Sequence, residues 1–132
     1  RANPDYKDAR LGLGVLLMDM KKYDEAIKVY RDAIDLHQDF APYYNNLAVA
    51  LSSKGDTEGA LENLMIALQL KPDFVDALRN LGIIMLDRND PVQAKEHLSR
   101  ALRLSPDDKD IRQWLDKALQ MDSRPPIQNS PD

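Results

Sequence analysis

The chain contains no cysteine, which excludes disulfides and thiolate metal sites. Aromatic residues make up only 6% and there are five glycines. An interior must therefore be built mostly from Leu, Ile, Val, Met and Ala, a mixture that favours helix over strand. Cations are not in surplus: 18 Lys and Arg stand against 22 Asp and Glu, for a net charge of −4. Nucleic-acid backbones are bound through clustered cations, and with no such cluster here a nucleic-acid partner is not expected. No apolar run, Val15 to Met18 included, approaches the roughly 18–20 residues that cross a bilayer. Membrane insertion is not expected either.

Catalytic constellations are equally scarce. His37 and His97 are the two histidines, and a zinc site around either would need carboxylates gathered from elsewhere. Glu96-His97 is not followed by the second histidine of a zinc-protease helix. Ser52 and Ser53 have no histidine at helical spacing to activate them. Gly12-x-Gly14 lacks a preceding strand and a third glycine, so it is no phosphate loop. The expectation is a chain that is not an enzyme, with no metal and no cofactor.

What the chain does contain is an internal repeat. Displaced by 34 residues, it matches itself: Asp5, Asp39, Asp73 and Asp107 share one column, and Leu13, Leu47, Leu81 and Leu115 another. Ala26, Ala60 and Ala94 align, as do Ala33, Ala67 and Ala101, with no insertion or deletion. A fixed period of this length marks a stacked repeat in which each unit covers the apolar face of its neighbour. Within a period the apolar residues fall at helical spacing twice, as in Tyr44, Leu47, Ala48 and Leu51, then Ala60, Leu64, Ala67 and Leu68.

The pattern predicts helices at 7–20, 24–37, 41–54, 57–70, 75–88, 91–104 and 109–121. Gly55 and Asn89 suit the left-handed residue that ends a helix. Asp56 and Asp90 suit N-caps, with Pro91 in a first turn where no N–H is needed. Gly14, Ala48 and Gly82 on each first helix, and Ala26, Ala60 and Ala94 on each second, allow close approach of the two backbones.

The layout of large–x2–Leu–Gly/Ala–x2–large, followed by the Ala and Pro columns, resembles the tetratricopeptide repeat (TPR). The resemblance covers residues 7–108 as units 7–40, 41–74 and 75–108, and implies an all-α, right-handed alpha-alpha superhelix. Two signature columns depart from it: Arg10 stands for a bulky apolar residue and Gln38 for proline. Residues 1–6 fit the frame as the tail of a preceding unit, 109–121 as a capping helix, and 122–132, rich in proline, as a disordered tail. The helix at 7–20 is apolar almost all round, so self-association through the face near Leu13, Leu16 and Met20 is one expectation. Asp116 stands in the column of Gly14, Ala48 and Gly82, as suits the last helix of an array.

In this family the first helices line a concave face that holds peptides. The corresponding positions give an apolar stripe of Leu11, Val15, Met18, Val49, Ile83 and Leu86, bordered by Asn45, Asn46, Arg79 and Asn80. Exposed apolar strips mark interaction sites, and the amides and the guanidinium can bond a main chain. Asp8, Asp19, Asp76, Asp87 and Asp110 outnumber Arg79 and Lys117 there, which suggests a partner with basic residues flanking apolar anchors. The carboxylate clamp of some relatives falls here on Leu11, Val15, Asn46, Asp76 and Asn80, and only Asn46 matches it. Asn46 and Asn80 look instead like two rungs of an asparagine ladder, broken at Gly12 and ended at Trp114. The leading expectation is a protein–protein interaction module that binds a peptide or partner segment in the groove, as an adaptor or scaffold. Alternatives are the substrate-recruiting arm of a larger enzyme, such as a protein O-glycosyltransferase, and a self-assembling scaffold.

Overall fold

A computed structural model describes residues 4–125. Seven helices and no strand occur among them: α1 (Pro4–Asp19), α2 (Tyr23–Leu36), α3 (Ala41–Ser53), α4 (Thr57–Leu70), α5 (Val75–Asp87), α6 (Pro91–Leu104) and α7 (Lys109–Asp122). The sequence expectation for the first helix is corrected at its start: α1 begins at Pro4 rather than at residue 7. A proline has no N–H to leave unsatisfied in a first helical turn, so the same residue type that follows α4 and α6 can open a helix here. Asp122 belongs to α7. The rest of the tail from residue 126, and residues 1–3, lie outside the described residues.

The turn inside each pair is built the same way three times. Lys21, Gly55 and Asn89 occupy one column, and all have positive φ, at 60°, 88° and 61°. The next amide in each case reaches back to the carbonyl five residues earlier to close the helix: Lys22 to Leu17 at 2.8 Å, Asp56 to Leu51 at 2.9 Å and Asp90 to Met85 at 2.8 Å. The following helix then starts from a cap. Asp56 accepts from the Gly59 amide at 2.9 Å and Asp90 from the Gln93 amide at 3.1 Å. Lys22, in the same column, cannot accept, and α2 starts without a side-chain cap.

Small residues set how closely the helices of a pair approach. Ala26, Ala60 and Ala94 are fully buried. A Cβ added to Gly14 would lie 2.1 Å from Cζ of Tyr30, and one added to Gly82 would lie 2.5 Å from Cγ of Leu98. The large residue on the second helix thus uses the space that the small one on the first leaves open.

Neighbouring pairs are joined mainly by the second helix of one unit packing on the first helix of the next, α2 on α3, α4 on α5 and α6 on α7, and the first helices also approach one another. α1 packs beside α3, α3 beside α5 and α5 beside α7, whereas α2, α4 and α6 make no comparable backbone approach to one another. A stack that is close on one side and splayed on the other must curve, with the first helices inside. Exposed ion pairs mark the register between units: Lys54 pairs with Asp24 at 2.6 Å and, 34 residues on, Arg88 pairs with Glu58 at 2.7 Å. Such exposed pairs contribute little stability, about 0–1 kcal/mol each, but their recurrence shows that the two junctions share one geometry.

The ends differ. Leu47 and Leu81 are 3% and 5% exposed because the preceding pair covers them, while Leu13 in the same column is 40% exposed. At the other end Ile111, Leu115 and Ala118 seat α7 on the core, and Asp116 faces solvent.

Candidate functional site

The inner face carries a continuous chain of polar side chains. Arg79 donates through Nη1 to Oδ1 of Asn80 at 3.0 Å. Asn80 donates through Nδ2 to Oδ1 of Asn45 at 2.9 Å, which crosses from α5 to α3. Asn45 donates to Asn46 at 3.3 Å, and Asn46 to the hydroxyl of Tyr30 on α2 at 3.4 Å. At the far end Arg79 forms an ion pair through Nε with Asp110 on α7. One network therefore runs from the cap through all three units: from Arg79 onward every link is donated toward Tyr30, while Arg79 donates to Asp110 in the other direction. Burial pushes the Tyr30 hydroxyl above its ordinary pKa of 10, and the bond from Asn46 works in the opposite direction. The phenol thus stays protonated as the acceptor at the end of the chain.

Two pockets open beside this network. The first, of about 200 Å³, is lined by Val15, Met18, Tyr30, Asn46 and Val49. The positions 34 residues on are Val49, Ser52, Leu64, Asn80 and Ile83, and all five line the second pocket, of about 180 Å³. The two are one pocket built twice, on successive units, and Val49 is the ridge between them. The next repetition of the same columns gives Ile83, Leu86, Leu98, Trp114 and Lys117. There an indole occupies the position of the two asparagines. Trp114 packs on the cluster that contains Leu86 and Leu98, and Lys117 lies over the Trp114 ring at 5.4 Å.

The sequence-predicted residues separate accordingly. Val15 and Val49 are exposed and Ile83 half-buried at the pocket walls, while Leu11 and Met18 rest partly on the core. Leu86 is corrected: it is only 5% exposed, covered by the cap, and belongs to the interior rather than to the groove. Asn45, also 5% exposed, is a buried link of the network rather than a free surface amide. Asn46, Asn80 and Arg79 stay within reach of the groove but have already committed part of their bonding capacity to one another. Sequence reasoning missed Tyr30 as a groove residue. Its signal was there, a large aromatic in the second-helix column that faces glycine.

Among the described residues no three His, Asp or Glu side chains gather as metal ligands. No helix among the described residues is long and apolar enough to cross a membrane. A broader groove of about 410 Å³ lies on the outer side, where α4 and α6 splay apart over Leu81 and Met85, with Met65, Gln93 and His97 along it.

The architecture is that of a helical-repeat solenoid. Residues 14–55 match a family described as TPR repeat, and residues 51–118, more than half of the chain, match Tetratricopeptide repeat; the chain belongs to the tetratricopeptide repeat family. Comparison with curated proteins gives no significant match. Solved structures share the fold. The Sgt2 TPR domain from Aspergillus fumigatus is similar at a TM-score of 0.83 and 24% identity, over 98% of this chain and 91% of that one. The first TPR of Spaghetti (RPAP3), bound to the HSP90 peptide SRMEEVD, gives 0.83 and 22%, over 88% and 92%. SycD, a type III secretion translocator chaperone of Yersinia enterocolitica, gives 0.75 and 14%, over 92% and 83%.

Proposed function

We propose that the chain is a protein-interaction module that holds a peptide segment of its partner against the inner face. The observation that carries this reading is the duplicated pocket: two apolar recesses at equivalent positions, each with an asparagine at its edge and Val49 between them. Apolar recesses with a few placed polar groups are the usual make-up of ligand sites. The similar RPAP3 domain holds a peptide, which favours peptide binding for this fold. An acidic peptide end is a poor match for this groove, because Arg79 is already paired with Asp110 and an acidic residue, Asp76, stands at one of the clamp positions.

The test is selection of a random peptide library on the immobilised chain, repeated on Val49→Asp and Val15→Asp variants whose circular dichroism matches the parent. The reading expects enriched peptides from the parent and their loss on both variants. Equal enrichment on all three proteins would remove the site from this face.

A second reading is favoured by a separate observation. Leu13 and Leu16 are exposed on α1 in columns that the next units bury, Met20 is exposed just beyond the end of that helix, and such a face can join two copies. Sedimentation velocity over a hundredfold concentration range tests this. A dimer abolished by Leu16→Glu supports it, and a monomer throughout contradicts it.

A further inference from the structure

We infer that the groove selects a polyproline-II segment bearing an apolar side chain and, three residues away, a lysine or arginine. This rests on the inner-face reading above and specifies its ligand. The spacing argument comes from the duplication. Equivalent points on adjacent packed helices are about 8–10 Å apart, and α1, α3 and α5 lie side by side. Polyproline II has three residues per turn and rises about 3.1 Å per residue, which puts residues i and i+3 on one side about 9 Å apart. A β-strand offers same-face positions about 7 Å or about 13 Å apart, one too close and the other too far. An α-helix reaches about 10 Å in seven residues, but its backbone bonds are internal, and it would leave the groove amides unused. Polyproline II carries free carbonyls. Asn46 and Asn80 each spend one amide N–H on the network and have a second to donate.

The two pockets differ where it matters for side-chain choice. In the first, Met18, Val15, Val49 and the Tyr30 ring make an apolar recess. In the second, Ser52 stands in the column of Met18, and Ser53 and Asp87 complete a polar rim. Asp87 is exposed and forms no ion pair among the described residues. The walls of Val49, Leu64 and Ile83 suit the aliphatic stem of Lys or Arg, with its charged head at Asp87. The apolar residue of the ligand therefore takes the first pocket and the cation the second.

The experiment titrates the ¹⁵N-labelled full chain with blocked Leu-Pro-Pro-Lys and Lys-Pro-Pro-Leu peptides, followed by amide shifts. Matched peptides replace Lys by Glu or insert one more Pro. At least one parent peptide is expected to shift the amides of Val15, Val49 and Ile83. Its Glu and inserted forms should bind about threefold or more weakly, and Asp87→Asn should erase the preference for Lys over Glu. Equal binding of the Lys and Glu forms, equal binding of both spacings, or no binding by either parent at millimolar concentration overturns the inference. If selected library peptides still lose binding on Val49→Asp in those cases, the groove reading stands without it. If parent peptides shift only residues of the outer α4–α6 groove, both fall.

Discussion

Asn80 donates a 2.9 Å hydrogen bond to Asn45, and through that contact the second and third repeats share one polar network on their inner face. Asn45 is almost fully buried, so its oxygen cannot turn to bulk water when the donor is removed. Asn80→Ala is expected to lower unfolding stability by about 1–3 kcal/mol, the usual result of orphaning a buried acceptor, as read from urea denaturation. A change within experimental error would show that the bond does not tie the repeats together. Because these asparagines stabilise the fold as well as border the groove, Val49 and Asp87 are cleaner probes of binding.

Gly12 and Gly14 lie two residues apart on α1 in opposite situations. Space around a Gly12 Cβ is open, whereas a Gly14 Cβ would collide with the Tyr30 ring. Gly12→Ala is expected to stabilise the chain by up to about 1 kcal/mol through helix propensity alone. Gly14→Ala should destabilise it by about 1–3 kcal/mol through overpacking, and disturb the network that ends on Tyr30. Thermal melts of the two variants should move in opposite directions; a shift in the same direction would deny the close approach of α1 and α2.

Tyr43 is fully buried edge-on against Phe40, with ring centroids 4.8 Å apart, and its hydroxyl has no partner among the described residues. Tyr43→Phe removes a desolvated group and keeps the ring. A gain of about 1 kcal/mol is expected. A clear loss would mean that the hydroxyl is bonded in solution.

These contrasts show what was legible beforehand. The 34-residue columns specify side-chain size and helix caps, so the succession of helices, the glycine and asparagine turns and the Asp56 and Asp90 caps could be read from residue types alone. The inner face was read less well because its columns are shared between units. Whether Leu86 is groove or core depends on Trp114, a residue of the cap, and nothing within its own repeat reveals that. Similarly, the asparagines looked like free donors because the sequence does not show that Asn45 and Asn80 reach each other across α3 and α5. The pocket recurrence was implicit in the period but required Tyr30 and Leu64 as floors, and those columns look like ordinary packing positions.

His97 lies half-buried on the outer groove, and burial holds its imidazole below the ordinary value of 6.5, with the Glu96 charge acting in the opposite sense. The folded state therefore resists protonation more than the unfolded chain does. Its contribution to stability is present above pH 6.5 and lost as pH falls through the depressed folded value. His97→Gln should flatten that part of the stability–pH profile measured by urea midpoints. An unchanged slope between parent and variant would mean that His97 is solvated.

The most direct test of the account takes a peptide selected on the chain and maps its contact surface by ¹⁵N chemical-shift perturbation. The account predicts the largest shifts at Val15, Val49, Asn80 and Ile83, in the two equivalent pockets. Shifts concentrated instead at Leu61, Met65, Gln93 and His97, on the outer side, would contradict it.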